Sequence, residues 1–207
     1  RGVGEFDIVS GLAGVAAYLL QHDPNQQLRQ VLAGLVWLSS DDGGVPRWAT
    51  PAENLDAQMR SRFPFGNLNC GLAHGIPGPL AVLGLATLSG QVVDGQIDAM
   101  RRLAIWIVAQ QFEDGWGANW PSAVPITRAG NSGTAPTRNA WCYGSPGIVR
   151  ALWIAAEALA DNALRAVALD GILAVLRRPV ANRLIDSPTF CHGVAGLLHV
   201  VLRFAHD

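Results

Sequence analysis

The sequence predicts an all-α fold in which apolar inner helices are surrounded by amphipathic outer helices, an α/α toroid. Two observations predict it. The string Gly-x-x-Gly followed by a long apolar run occurs four times, beginning at Gly11, Gly75, Gly144 and Gly193. Between these copies, apolar residues recur every three to four positions, as they do on one face of a helix, and no sustained alternating β pattern competes.

Each glycine string is expected to begin an inner helix that is buried on all sides. Glycine has no side chain, so it lets backbones approach closely where the inner helices crowd together. The second copy lies in a nearly apolar stretch, residues 71–88. A membrane span needs about 20 apolar residues, and the glycines, prolines and His74 interrupt this stretch. It is therefore interpreted as a core helix entered through a Gly-Pro turn.

The outer helices are predicted over residues 27–38, 97–108 and 164–176, where apolar residues follow a helical spacing. Their other faces carry Gln, Arg and Asp, so each helix should be half-exposed. We expect a single α/α-toroid domain over residues 1–207. Because four inner helices do not close a ring of six or seven, we also expect residues of a longer chain to be missing at both ends.

Two long connections, residues 39–69 and 113–138, are rich in Gly, Pro, Asn and Asp and contain tryptophans. Loops of this length are usually functional or disordered. Trp48, Trp116 and Trp120 either attach the loops to the body of the protein or line a peptide groove.

Composition excludes several classes of protein. The chain has 207 residues, 50% of them hydrophobic, and a formal net charge of −1. This balance is not that of a strongly cationic nucleic-acid binder or of a disordered chain, so no nucleic-acid partner is expected. Three cysteines are too few for a secreted disulfide scaffold, and no signal peptide is visible.

The chemically active residue types occur at one position of the repeat. Two residues before the first glycine the chain has Val9, Ala73, Cys142 and Cys191, and one residue before it Ser10, His74, Tyr143 and His192. If the inner helices run parallel, these side chains converge at one rim.

Cys142, Cys191 and His192 then form a candidate zinc site, because thiolates and imidazole are preferred zinc ligands and three protein ligands leave a position open for chemistry. The alternative is a pair of buried structural cysteines. Cys70 lies outside this register and is interpreted as a structural thiol.

Three further residues have a functional and a structural interpretation. His74 has a side-chain type suited to acid–base chemistry near neutral pH, or it bonds the backbone at a helix start. Asp7 lies four residues before Gly11, where the helix dipole favours a carboxylate. Arg138 lies four residues before Cys142, so it is either part of the same site or an ordinary surface charge.

These strings resemble the LanC family, the lanthionine-forming cyclases of lantibiotic biosynthesis. The matching strings span residues 7 to 196, and the two that contain cysteine are the specific ones. The matching strings are Asp7–Gly14, Ala73-His74-Gly75, Trp141-Cys142-Tyr143-Gly144-Ser145-Pro146-Gly147 and Cys191-His192-Gly193-Val194-Ala195-Gly196. Residues 116–121 are also similar to a loop of the stand-alone, class I cyclases.

The resemblance implies a toroid of seven helical layers with one zinc ion, and family members are about twice as long as this chain. It implies that Cys142, Cys191 and His192 are the zinc ligands. It further implies that His74 and Asp7 are acid–base residues. It also implies that Arg138 and Tyr143, which match the residues around the first ligand, are catalytic.

The function implied is a zinc-dependent cyclase that adds a peptide cysteine thiolate to dehydroalanine or dehydrobutyrine and so forms lanthionine or methyllanthionine rings. Its partner is a dehydrated precursor peptide, with a dehydratase and an exporter as further partners. The expected location is the cytoplasm, or the membrane surface if the cyclase forms a complex with the dehydratase and the exporter.

Three alternatives stay open. One is a non-catalytic LanC-like zinc protein that binds peptides or small thiols. Another is a zinc toroid of the prenyltransferase kind, which would need a basic pocket where the inner helices offer only Arg138 and Arg150. The last is a fragment that folds poorly by itself.

Overall fold

The computed structural model describes residues 2–126 and 137–207, so part of the second long connection, residues 127–136, lies outside the described residues. Helices predominate in the described part. In chain order the helices are α1 (Leu12–His22), α2 (Gln26–Leu38), α3 (Ala57–Arg62), α4 (Pro77–Leu88), α5 (Gln96–Ala109), α6 (Ser145–Leu159), α7 (Asn162–Arg177) and α8 (Val194–His206).

The helices form an inner and an outer row. The inner row is α1, α4, α6 and α8, in which each helix packs against the next. The outer row is α2, α5 and α7, which pack on α1, α4 and α6 respectively. The inner helices begin at the four glycine strings, and the outer helices cover the three predicted amphipathic segments to within a few residues. The predicted alternation of inner and outer helices is confirmed.

The glycine repeat has a steric cause. In every copy the second glycine lies against the carbonyl oxygen of the residue six positions earlier, where an added Cβ would come closer than 3.0 Å. A side chain there would displace the loop that enters the helix. The pairs of glycine and carbonyl are Gly14 with Ile8, Gly78 with Leu72, Gly147 with Trp141, and Gly196 with Phe190.

Two outer helices begin with polar caps. The side chain of Asn25 accepts from two backbone N–H groups in the first turn of α2, and that of Asp161 accepts from one in the first turn of α7. Inner helices α4 and α6 instead have proline in the first turn, where the missing N–H costs nothing. Helices α2 and α7 thus have side-chain caps, whereas the outer helix α5 begins at Gly95 without one and the inner row relies on glycine and proline.

Burial separates the middle of the inner row from its ends. Helices α4 and α6 are buried along most of their length, as predicted. The same prediction is wrong for α1 and α8. On α8, Val194, Leu198 and Leu202 lie on one face and are 57%, 55% and 47% exposed, because α8 packs on α6 with its other side uncovered.

Short antiparallel ladders, which the sequence did not predict, order the long connections. The three ladders found in the described ranges join two strands each, and β3–β6 places Asn69 opposite Ala123. The strands are β1 (Asp41–Asp42), β2 (Val45–Pro46), β3 (Asn67–Asn69), β4 (Phe112–Asp114), β5 (Gly117–Asn119) and β6 (Ala123–Pro125).

Two tryptophans of these connections, Trp48 and Trp120, attach them to the helices. Trp120 is fully buried and its Nε1 donates to the carbonyl of Ile107 at 2.9 Å. Trp48 is buried with its ring against that of Trp106. Within residues 2–126 and 137–207, no helix has the length and apolarity needed to cross a bilayer.

Candidate active site

Backbone hydrogen bonds join the four repeat copies at one rim. The N–H of Ile8 donates to the carbonyl of Ala73 at 3.1 Å, and the N–H of Ala73 donates to that of Cys142 at 3.3 Å. The N–H of Cys142 in turn donates to the carbonyl of Cys191 at 3.0 Å. The residues before the inner helices therefore lie side by side, as the register of the repeat predicts.

Asp7 and His74 form a close pair at this rim. Nδ1 of His74 is 2.6 Å from Oδ2 of Asp7, and the carboxylate is 1% exposed. Its other oxygen, Oδ1, accepts from the backbone N–H groups of Ser10 and Gly11 at 2.7 and 3.0 Å, and from the Ser10 hydroxyl at 3.2 Å. The tight turn before α1 thus surrounds one buried carboxylate with donors.

These donors decide the charge of Asp7. Burial alone would raise its pKa, but the N–H of Ser10, the hydrogen bond and charge of His74, and the N–H of Gly11 together outweigh burial. The pKa of Asp7 therefore lies below its ordinary value of 3.8. An ionised carboxylate only accepts, so Nδ1 of His74 carries the proton it donates. Nε2 has no hydrogen-bond partner in the described part of the chain, and the side chain is 37% exposed.

Two thiols meet next to this pair. Burial, and secondarily the hydrogen bond and charge of the Cys191 thiol, raise the pKa of Cys142 to about 11. Cys142 is buried and Cys191 is exposed. His192, the third predicted ligand, is exposed. Among the described residues, no group of three or more His, Cys, Asp or Glu side chains is arranged to hold a metal ion. The structure brings the two cysteines together but does not group His192 with them.

The third thiol has a different environment. Cys70 is buried in the main hydrophobic core, and burial raises its pKa to about 12. Its Sγ lies 3.7 Å from the carbonyl of Leu68. This is the environment of an unreactive, structural thiol.

Arg138 and Tyr143 flank Cys142 in the sequence, but they contact different residues: Arg138 contacts Asp186, and Tyr143 lies near His74. Arg138 is 4.0 Å from the exposed carboxylate of Asp186, and no contact joins it to Asp7 or His74 within the described residues. The ring centroid of Tyr143 is 6.3 Å from that of His74. Burial raises the pKa of Tyr143, and the hydrogen bond from Asn69 only partly offsets this effect.

A small cavity opens beside Tyr143, between α3 and the β3–β6 ladder. Its volume is about 290 Å³. It lies next to the rim, so it is a candidate for the space that a substrate residue enters. The residues that line it are Met59, Arg62, Asn69, Ser122, Ala123 and Tyr143.

The structure adds supporting residues that sequence reasoning missed. Asn69 holds the Tyr143 hydroxyl, and its position six residues before Gly75 matches that of Arg138 before Gly144, a register signal that was available. Arg178, 2% exposed, donates to Asn139 at 2.8 Å and to Asp114 at 2.6 Å. Nothing in the local sequence pattern distinguishes Arg178 from an exposed arginine at a helix end.

Comparison with known proteins bears on the family and the fold of the chain. A family model described as lanthionine synthetase C-like protein matches residues 2–207. The nisin biosynthesis protein NisC of Lactococcus lactis subsp. lactis is 28% identical over 217 residues, a match covering 97% of this chain and 49% of NisC. The solved structure of nisin cyclase matches with a TM-score of 0.86 and 26% identity, over 99% of this chain and 52% of that one.

The chain therefore spans about half the length of these relatives. The likeness to nisin cyclase confirms the α/α toroid fold, with its inner and outer helices. Because the family model covers nearly every residue, the chain belongs to the lanthionine synthetase C-like family.

Proposed function

We propose that this chain carries the ring-forming site of a lantibiotic cyclase, which adds a peptide cysteine to dehydroalanine or dehydrobutyrine and forms lanthionine or methyllanthionine. One observation carries the proposal: the pair of His74 with the buried Asp7 carboxylate and the adjacent thiols of Cys142 and Cys191 occur on the same rim. Family membership and the likeness to nisin cyclase support this class of reaction. A dehydratase must act first, because the reaction consumes dehydrated residues.

The side-chain types of the three predicted ligands fit zinc. Two neighbouring thiols and an imidazole are the ligand types that zinc prefers. His192 is exposed, and its side chain has no described hydrogen bond that metal binding would break. We propose Cys142, Cys191 and His192 as the ligands. When bound, zinc would act as a Lewis acid that keeps a substrate thiol deprotonated near neutral pH.

The reaction adds the S–H group of a cysteine across a carbon–carbon double bond. Sulfur bonds to the β-carbon, the π electrons move to the neighbouring carbonyl oxygen as an enolate, and the α-carbon then takes a proton. Nothing is oxidised or reduced.

Nε2 of His74 is suited to deliver the proton, because it has no protein partner and Nδ1 is held by Asp7. Asp7 accepts from Nδ1 and so keeps the ring oriented. Arg138 is suited to stabilise the enolate charge, since its exposed contact with Asp186 is weak enough to exchange for a substrate oxygen.

The prenyltransferase alternative loses support at Arg150. Its guanidinium is mostly buried and lies 2.6 Å from the carboxylate of Asp207. It is therefore not available to bind a diphosphate.

The test is to measure metal content and ring formation together. The probe is a synthetic peptide with one dehydroalanine and one cysteine. Ring closure leaves its mass unchanged, so remaining thiol is counted by the mass added on alkylation. We expect about one zinc per chain and faster ring closure than in buffer, with both lost in Cys142→Ala. Cys70→Ala is the matched control and should keep its zinc.

Two outcomes would contradict the proposal. Zinc bound without acceleration of ring closure would favour the non-catalytic thiol-binding alternative. Folded protein that binds no zinc under zinc-replete conditions would refute the metal site.

A further inference from the structure

Asn69 donates a hydrogen bond to the Tyr143 hydroxyl, and this bond can run in only one direction. Nδ2 of Asn69 donates to Oη of Tyr143 at 2.9 Å, and Oδ1 of Asn69 accepts from the N–H of Gly71 at 2.9 Å. A backbone N–H can only donate, so the amide oxygen must face Gly71 and the amide nitrogen must face the hydroxyl. The chemistry of the three groups therefore determines that Asn69 donates and Tyr143 accepts.

This direction leaves the hydroxyl proton of Tyr143 available. A phenol carries one proton, and the proton must point away from the Asn69 amide that already donates to its oxygen. Within residues 2–126 and 137–207 the hydroxyl proton has no acceptor. Tyr143 and Asn69 both line the cavity of about 290 Å³ beside the rim. A substrate oxygen that enters this cavity would meet an unused donor.

The support behind Tyr143 is rigid. Asn69 is 6% exposed, lies in the β3–β6 ladder and accepts at its carbonyl from Ile76 at 3.2 Å. The ring of Tyr143 occupies the space that a side chain at Gly71 would need, since an added Cβ would lie 2.6 Å from ring atom Cε1. Both the ring and its hydroxyl are thereby held before substrate arrives, as preorganised stabilisation of charge requires.

We propose that Asn69 is a positioning residue that keeps the Tyr143 hydroxyl as a hydrogen-bond donor to the carbonyl oxygen of the dehydro residue. That oxygen gains negative charge during the addition, so a donor already aimed at it lowers the barrier. The proton stays on the phenol throughout. This inference rests on the proposed cyclase function.

The decisive variant is Asn69→Asp. Aspartate keeps the shape and the bond from Gly71, but it replaces the donor that faces Tyr143 with an acceptor, so the hydroxyl must turn and donate to it. Loss of one donor to a developing oxyanion lowers kcat by about 10²-fold. We expect a loss of this size in Asn69→Asp and in Tyr143→Phe, with little change in KM. The double variant should be no slower than Tyr143→Phe.

A control and a spectroscopic measurement separate positioning from other effects. Asn54→Asp adds the same charge at an exposed site and should leave kcat unchanged. The chain has two tyrosines, so Tyr18→Phe leaves Tyr143 as the only reporter. The tyrosine Raman doublet, which responds to the direction of the hydroxyl's hydrogen bond, should change from acceptor to donor in Asn69→Asp.

Two results would overturn the role of Asn69. One is a Raman doublet that Asn69→Asp leaves unchanged. The other is an Asn69→Asp effect on kcat that persists in the Tyr143→Phe background. A chain that closes no ring would instead overturn the proposed function, and the Raman doublet would still decide whether Asn69 orients the hydroxyl.

Discussion

Asp7→Asn removes one negative charge from the rim and keeps the shape of the side chain. The asparagine oxygen can still accept from the N–H groups of Ser10 and Gly11, which Asp7 binds at 2.7 and 3.0 Å. The amide nitrogen would then face Nδ1 of His74, so two donors meet at the position of the present 2.6 Å contact. The ring must either shift or change its tautomer, and either change removes the hydrogen bond that holds this proton-transfer group in place.

The magnitude follows from these bonds. A hydrogen bond to a charged group contributes about 1.5–3 kcal/mol, and the remaining bonds to Ser10 and Gly11 weaken when the charge is lost. The variant should therefore lose about 2–4 kcal/mol of unfolding free energy near neutral pH. Ring closure should slow by about 10²-fold or more, because a positioned proton-transfer group contributes this much.

The effect on stability should depend on pH. The folded-state pKa of Asp7 lies below 3.8, so its ionised form stabilises the fold above that value. This contribution is lost as pH falls through the folded-state pKa, because both states are then protonated. The stability difference between the parent and Asp7→Asn should therefore be largest near neutral pH and become smaller below about pH 4.

Urea unfolding followed by tryptophan fluorescence measures this difference at each pH, and alkylation of the remaining thiol measures ring closure. Asp98→Asn is the matched control. Because Asp98 is 71% exposed, this substitution should change the unfolding free energy by less than about 0.5 kcal/mol. A stability difference that does not change with pH, or an Asp7→Asn variant that closes rings at the parent rate, would refute this reasoning.

Three further predictions use the same assays. His74→Asn should slow ring closure while zinc stays bound, and loss of zinc in this variant would show that His74 is structural. Gly71→Ala should lower the unfolding free energy by about 1–3 kcal/mol through overpacking. Gly115→Ala, where an added Cβ meets nothing within 4 Å, should be neutral, and equal effects would contradict the steric explanation. Arg178→Ala should cost about 3 kcal/mol because it removes the buried cation that pairs with Asp114, whereas Arg177→Ala, at a 57% exposed site, should cost under about 0.5 kcal/mol. Similar losses in both arginine variants would argue against a buried ion pair that matters for stability.

The order of inner and outer helices was predictable because each helix carries its environment in its local pattern. Glycine strings precede α1, α4, α6 and α8, and periodic apolar residues mark α2, α5 and α7. The exposed faces of α1 and α8 were not predictable, since burial at the end of a row depends on what packs there. The short β ladders were also missed, because two or three residues carry no readable period.

The site was predictable in its composition and only partly in its geometry. The repeat register indicated that His74, Cys142 and Cys191 lie at one rim, and backbone hydrogen bonds join these copies. The register could not indicate that Oδ2 of Asp7 contacts Nδ1 of His74, since Asp7 lies four residues before its glycine and His74 only one residue before its own. Nor could it indicate that Arg138 faces Asp186 or that His192 is not grouped with the two thiols. The zinc site and the catalytic roles stay predictions.

The sequence by itself determined the long inner and outer helices, where each inner helix begins and which residue types stand before it, but not the short helix α3. These properties are local, because they depend on the spacing of apolar residues and on glycines that pack against a carbonyl six residues earlier. Only the tertiary structure decided which side chains act together. The Asp7–His74 pair, the Asn69–Tyr143 hydrogen bond and the support from Arg178 each join residues at least 39 positions apart. Hydrogen bonds depend on distance and direction in space, which only the packing of the helices establishes.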